Sequence, residues 1–283
     1  MKRMILKIIR FVVFCAVLLT AALGIAVTVA KDQDFEESFY YIQSDKLSQN
    51  IRAVLLSDLH LNEFGKDNKE LVERIEELKP DIIAIVGDMN DKRKENYQVV
   101  IKLCEQLVDI APVYYSVGNH EWPKIVNENS KIGEDIEKTG VHLMTDRFET
   151  VEINGNTIKI GGLAEAPEQY EKYGKKFFES FETGEEFKLL LVHYPEYFDS
   201  TNGALREADI DVAMCGHAHG GQIRIPGIGG VFTKDQGWFP DLTEGVHNIN
   251  DISVVISRGL GNSSKFPRVN NAPELVIVDM NYY

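Results

Sequence analysis

The sequence predicts an α/β domain preceded by one apolar N-terminal helix, and three observations carry that expectation. Short aliphatic runs alternate with segments of helical hydrophobic period from Ile51 to Val117, the pattern of a sheet with a parallel core and helices on its faces. Several of those runs stop at a polar residue beside a glycine, as at Gly87-Asp88 and Gly118-Asn119. An uncharged stretch of twenty residues, Phe11 to Ala30, precedes them all.

That stretch has the length needed to cross a bilayer as a helix. Eleven of its residues are Phe, Val, Leu or Ile, which together favour insertion by roughly 3–7 kcal/mol. A buried core helix would carry a polar stripe, and none is visible. Thr28-Val29-Ala30 offers a small-x-small cleavage site, but the apolar run exceeds the roughly 7–15 residues of a cleavable signal, so an uncleaved anchor is the reading. Lys2, Arg3, Lys7 and Arg10 lie before it. The positive-inside rule therefore leaves residues 1–10 in the cytoplasm, residues 11–30 in the cell membrane as a single pass, and the body on the extracytoplasmic side. Residues 31–50 are polar and acidic and read as a linker to a folded domain at 51–283.

Beyond the four basic residues of the N-terminus the chain holds 26 basic and 44 acidic residues, a net charge of −18. Such a body repels phosphate polymers, which excludes DNA or RNA as an expected partner. Cys15, Cys104 and Cys215 are odd in number and far apart, so neither a disulfide framework nor a zinc knuckle is indicated.

Taken in order, Ile51 to Leu56 reads as a buried strand and Asn68 to Leu78 as a helix with Leu71, Ile75 and Leu78 inward, stopped by Pro80. Asp81 to Val86 is the second strand, Tyr97 to Ile110 the second helix, and Val113 to Val117 the third strand. Asp135 to Lys138 belongs to a further helix leading to a short strand at Val141 to Leu143. Phe148 to Gly162 reads as a hairpin turning at Asn154-Gly155-Asn156. Phe187 to Val192 and Asp211 to Cys215 are two more strands, and Ser253–Ser257 and Leu275–Asp279 complete a single α/β domain of two layers.

Five of these strands run straight into residues that bind metals: Asp58 and His60, Asp88, Asn119, His193, and His217 and His219. Ligands of open α/β sheets bind at the carboxyl ends of the strands. Five of the seven histidines fall in these segments, counting His120; His142 and His247 stand apart as solvent or packing residues. In extended chain, residues two apart point to one side, so Asp58 with His60, or His217 with His219, could grip one ion or divide between two. Asp88 could bridge two cations. Mixed imidazole and carboxylate donors suit Zn, Fe or Mn rather than Mg or Ca.

Asp58-Leu59-His60, Gly87-Asp88, Gly118-Asn119-His120-Glu121, His193 and Gly216-His217-Ala218-His219 together resemble the five ordered motifs of the calcineurin-like metallophosphoesterases. Gly220 to Pro226, Ser257 to Gly261 and Ala272 to Leu275 are similar to the bacterial membrane-linked, phosphodiesterase-like branch. The resemblance implies a two-sheet β-sandwich flanked by helices and a site with two divalent ions. Asp58, His60, Asp88 and His219 would hold the first, and Asp88, Asn119, His193 and His217 the second. It also implies hydrolysis of a phosphodiester or phosphomonoester by a hydroxide that the two metals activate. His120 would stabilise or protonate the leaving oxygen. Glu121, standing where the family commonly has Asp, would orient His120.

The rival expectation is a metal-stabilised binding or scaffold protein at the membrane, without turnover. An anchored site favours lipid-linked or envelope phosphoesters. Phe232, Trp238, Phe239 and Phe266 are expected to pack the late loops, with contact to an acyl chain as the alternative. Arg224, Lys234, Arg258, Lys265 and Arg268 read equally as surface charge or as phosphate contacts.

Overall fold

The computed structural model describes residues 2–30, 34–126, 130–164, 166–201, 203–264 and 266–282. Helix α1 (Lys2–Ala30) runs unbroken for 29 residues. Its described side chains, at positions 3–4 and 7–20, are all exposed. Among the described residues no helix is long and apolar enough to cross a membrane. The side chains of 21–30, the second half of the expected anchor, lie outside the described residues, as do 31–33.

The expected linker at 31–50 instead contains strand β1 (Glu36–Ser44). The reason is a period-two pattern that the acidic flank obscures: Phe39 and Tyr41 face outward while Ile42 is buried. The strand lies at the edge of its sheet, where one face can stay wet.

The chain continues through β2 (Ile51–Leu56), α2 (Lys69–Leu78), β3 (Ile82–Val86), α3 (Gln98–Leu107) and β4 (Val113–Ser116). Next come α4 (Trp122–Ile125), α5 (Ile132–Lys138), β5 (His142–Leu143), β6 (Arg147–Ile153) and β7 (Asn156–Leu163). The β6–β7 hairpin turns on Asn154 and Gly155, both at positive φ (51° and 78°), as a two-residue turn of this hand needs. Helix α6 (Gly174–Phe181), β8 (Phe187–Val192) and β9 (Val212–Cys215) follow. Two small ribbons pair β10 (Arg224–Ile225) with β11 (Gly229–Gly230) and β12 (Phe232–Thr233) with β13 (Gly237–Trp238). Strands β14 (Gly245–Ile249), β15 (Ile252–Ile256) and β16 (Glu274–Tyr282) end the chain.

These strands form two six-stranded sheets, in the orders β1-β16-β2-β3-β4-β5 and β14-β15-β9-β8-β7-β6. The inner core joins Ala53, Leu55, Ile82 and Ala84 of the first sheet to Ile158, Ile160, Leu189 and Met214 of the second. On the outer face of the first sheet lie Leu71 and Ile75 of α2, Leu103 and Leu107 of α3, and Ile132 and Ile136 of α5. Phe178 and Phe181 of α6 cover the outer face of the second. The molecule is thus the two-sheet sandwich flanked by helices, with four layers rather than the two that periodicity suggested. Both faces of each sheet are buried, so the strands read as unbroken apolar runs, and such runs do not say how many sheets share them.

Parallel pairing sends β2, β3 and β4 to one end of their sheet, and β8 and β9 run parallel in the other. The loops that leave these strands carry the polar residues singled out in the sequence.

Candidate metal centre

At the rim the backbone turns abruptly. Asp58, His60, Asp88, His217 and His219 all have positive φ (52°, 48°, 54°, 66° and 47°). Each such non-glycine residue costs of order 1–3 kcal/mol and persists only where its surroundings over-determine it. Here the Asp58 N–H donates to the Gly87 carbonyl (2.9 Å), His60 N–H to Asp88 O (3.0 Å) and Gly261 N–H to Asp58 O (2.7 Å). His217 N–H donates to Asp58 Oδ2 at 3.0 Å. Left-handed turns rather than the expected extended chain thus bring Asp58 and His60 together, and the turn at His217 and His219 divides these two between separate donor groups. Gly216 permits a close approach, since a Cβ there would collide with Asp58 and Ser57.

Six of the seven expected ligands come together on this rim, and the seventh, Asn119, lies between Gly118 and His120, whose N–H donates to Asp88 Oδ1. Donor atoms of Asp58, His60 and His219 lie within 4.8 Å of one another, as do those of Asp88, His193 and His217. His60 Nε2 is 3.2 Å from His219 Nε2, which is 3.4 Å from Asp58 Oδ1. Asp88 stands between the groups, its Oδ2 at 3.3 Å from His193 Nε2 and 4.0 Å from His60 Nε2. Asn119 Oδ1 and Asp58 Oδ1 are buried without a hydrogen-bond partner.

The tautomers decide what this arrangement can hold. His193 Nδ1 donates to the Val86 carbonyl at 2.6 Å, which leaves Nε2 as the acceptor of the neutral ring. His217 Nε2 donates to Asp235 Oδ2 at 2.8 Å, which leaves Nδ1 as its acceptor. These two acceptors face each other at 3.1 Å beside the Asp88 carboxylate. Two lone pairs repel at that distance unless a cation or proton lies between them. The orphaned Asp58 and Asn119 oxygens make the same demand, so the donor set fits divalent cations.

Burial opposes charge on Asp58 and Asp88, but the imidazoles outweigh it. His219 and His193 hold Asp58 below the usual carboxylate range, and His193, His60 and His120 do the same for Asp88. Burial likewise opposes the charged form of His193, yet Asp88 and Asp58 raise it to about 10. Burial pushes His120 down to about 4 and His219 down to about 3, against the pull of Asp88 and Asp58 respectively.

His120 sits beside both groups, its ring centroid 4.6 Å from that of His60 and its Nε2 3.9 Å from Asp88 Oδ2. Its Nδ1 accepts the Lys92 N–H at 3.2 Å and lies 3.7 Å from Asp91 Oδ1. Glu121, expected to orient this ring, is engaged elsewhere. Its carboxylate accepts the N–H groups of Asp88 (2.8 Å), Asn90 (2.8 Å) and Gly118 (3.1 Å) and the Tyr115 hydroxyl (3.1 Å). It clasps the loop after β3 to the loop after β4, while burial and Asp88 push it up to about 7. The Lys92 N–H is what positions His120, while Asp91, gripped by Arg93 at 2.6 Å, lies beside the ring without a hydrogen bond to it.

Two further residues escaped sequence reasoning. Asp235, in the β12–β13 turn, fixes the His217 tautomer from eighteen residues away, with no motif to mark it. Arg268, read as surface or phosphate-contacting charge, is only 2% exposed. Its guanidinium donates to the Arg258 (2.8 Å) and Gly259 (3.1 Å) carbonyls and lies 3.2 Å from His219 Nδ1. Arg258 is buried beside Glu274 (3.3 Å), Arg224 pairs with Glu244, Lys234 is exposed, and Lys265 lies outside the described residues. His142 contacts Glu149 at 2.8 Å and His247 the Glu244 carbonyl at 2.9 Å, both apart from the centre.

Residues 51–221 match the family model of the calcineurin-like phosphoesterases. The metallophosphoesterase YkoQ of Bacillus subtilis is 26% identical over 80% of this chain and 82% of its own. The phosphodiesterase YaeI of Escherichia coli is 23% identical over 81% of this chain and 82% of its own. A transmembrane protein with metallophosphoesterase domain from Danio rerio is 26% identical over 74% of this chain and 50% of its own.

Proposed function

Because the chain belongs to the calcineurin-like phosphoesterase family, we propose that it is a dinuclear, metal-dependent hydrolase of phosphoester bonds, most suited to phosphodiesters and held at the cell membrane by residues 11–30. The observation that carries this reading is the convergence of two donor groups, Asp58 with His60 and His219, and Asp88 with His193 and His217, each within 4.8 Å, with Asp58 Oδ1 and Asn119 Oδ1 buried and unpartnered beside them. Asp58, His60, Asp88 and His219 would hold one ion, and Asp88, Asn119, His193 and His217 the other. Mn, Zn and Fe all suit these donors. When bound, such a pair supplies Lewis-acid polarisation of a phosphoryl oxygen and lowers the pKa of water towards neutrality.

The chain's own residues do the rest. Asp88 Oδ1 accepts the His120 N–H at 2.7 Å, so the loop bearing His120 is fixed to the residue that both ions would share. With Nδ1 occupied by the Lys92 N–H, the ring proton of His120 is on Nε2. Burial keeps this ring neutral near pH 7, so it acts as a hydrogen-bond donor to the leaving oxygen rather than as a full proton source. The Lys92 N–H keeps it in place, and Asp235 holds His217.

Two findings support the anchor. Phe11, Phe14 and Leu19 of α1 are 60–67% exposed, an apolar surface that water does not tolerate in bulk. The Danio rerio relative is named as a transmembrane protein. The basic residues before the apolar run favour the extracytoplasmic side for the body, where a phosphoester of the envelope or of a lipid would be within reach.

Purified protein loaded with Mn²⁺ or Zn²⁺ is expected to cleave a bis-aryl phosphate and to lose that activity to a chelator. Asp88→Asn removes a carboxylate common to both ions, and turnover should fall by about three orders of magnitude, equivalent to several kcal/mol. Unchanged turnover in that variant, or metal analysis showing no bound ion, sinks the reading.

A further inference from the structure

The sequence assigned Phe232, Trp238 and Phe239 to loop packing, but the structure leaves them 44%, 71% and 57% exposed. They stand together: the Phe232 and Trp238 rings are 5.2 Å apart, and those of Trp238 and Phe239 6.4 Å. The ribbon that carries them is firmly built. Val231 N–H donates to Ile223 O and Phe239 N–H to Val231 O, both at 2.8 Å. Its turn residue Asp235 is the partner of His217. An exposed aromatic group is thus rigidly coupled to the metal centre.

Strand pairing shows where the N-terminal helix joins this geometry. β1 runs parallel to β16 from the pair Glu36–Glu274, and β16 runs antiparallel to β2 with Val276 opposite Leu55. The start of β1 therefore lies at the end of the sheet from which Asp58 emerges. Arg258, beside the site loops, confirms the placement through its 3.2 Å contact with Glu36. Six residue steps separate Ala30 from Glu36, a span of at most about 22 Å when fully extended. The apolar helix is tethered to the rim of the metal centre rather than to the opposite end of the sandwich.

We propose that this rim docks on the lipid bilayer, with Phe232, Trp238 and Phe239 immersed at the headgroup–acyl boundary, so that the metal centre takes amphiphilic phosphoesters from the membrane plane. The proposal rests on residues 11–30 being the anchor. Aromatic rings suit that boundary because they are apolar yet tolerate its polarity. The body is strongly acidic, so apolar insertion rather than attraction to anionic headgroups holds the rim down, and binding is insensitive to salt.

The test uses the full chain reconstituted in phosphatidylcholine bilayers with and without mid-chain bromination. The brominated lipid should quench roughly half of the Trp238 emission, as expected for rings about 5–10 Å into the boundary, and Trp238→Phe should abolish the quenchable component. Emission of Trp238 that aqueous acrylamide quenches and brominated lipid does not overturns the proposal. So does shielding that depends on protein density rather than lipid, which would mean a second copy covers the patch. A chain that does not float with the vesicles removes the anchor and the docking with it. In a second arm, Phe239→Ser should lower the ratio of turnover on a bilayer phosphodiester to turnover on soluble bis-aryl phosphate by about tenfold, about 1.4 kcal/mol; an unchanged ratio overturns the substrate class. Absence of turnover on both substrates refutes the hydrolase reading, while the emission result still decides the docking.

Discussion

The two halves of the rim hold their histidines by different means. Around Asp58, Asp88 and His120 the backbone does the holding: left-handed residues are pinned by main-chain bonds, and Glu121 gathers three N–H groups from two loops. Around His217 and His219 the holding comes from side chains far along the sequence, Asp235 and Arg268. A site can thus be rigid on one flank through short-range geometry and tuned on the other through long-range contacts. The first kind of support is costly to lose in folding, the second in ligand orientation.

The largest effect that sharpens this contrast is expected on the backbone-built flank. His120→Ala removes a hydrogen-bond donor without touching the expected ligands, so metal content should stay intact while turnover falls by about 10²–10⁴-fold. Equal losses of metal and activity would instead mean that His120 belongs to the ion shells. Intact metal with no activity in the unmutated protein would favour the scaffold reading.

A smaller effect is expected on the other flank. Asp235→Ala leaves the His217 ring without the acceptor that fixes its tautomer, and metal affinity should fall by about 10–100-fold. Raising the metal concentration should restore most of the turnover, which it will not do for His120→Ala. If Asp235→Ala behaves like His120→Ala, the two flanks are not distinct in the way described.

The same contrast explains what could be read from the sequence. Asp58, Asp88, Asn119, His193 and His217 each follow an apolar run, so their arrival at one rim needs only the rule that parallel strands deliver loops to one end. The fold was legible for a related reason, since β2 and β8 are uninterrupted aliphatic segments. What stayed hidden depends on distance or on backbone sign. Nothing in the spacing of Asp58 and His60 announces positive φ, and the clasp by Glu121 needs two loops to be folded before it exists. Asp235 and Arg268 act on residues 18 and 49 positions away. Strand β1 was concealed because only one of its residues, Ile42, is fully buried.

The smallest expected effect concerns pH and the metal-free state. In that state His193 is raised from its ordinary value near 6.5 to about 10 by the carboxylates it faces. A histidine raised in the folded state contributes stability that is fully present below about 6.5 and is lost as pH rises towards 10. Among its neighbours, Glu121, raised to about 7, completes its titration by about pH 8, and His120 and His219 titrate near 4 and 3. From about pH 8 to 9.5 the buried thiols of Cys104 and Cys215, raised by burial, weaken both forms alike, so the difference between the chelated and the metal-loaded protein belongs chiefly to His193. The melting temperature of the chelated protein should fall more steeply over that range than that of the metal-loaded protein, in which a cation would stand in place of the proton. The displacement is itself measurable: near pH 7.5, titration of metal into the chelated protein should release close to one proton, visible as a calorimetric heat that changes with the buffer's ionisation enthalpy. Parallel melting curves with no proton release would mean that His193 already faces the centre as a neutral ring, and that the repulsion between His193 Nε2 and His217 Nδ1 is relieved by movement of the side-chain-held flank.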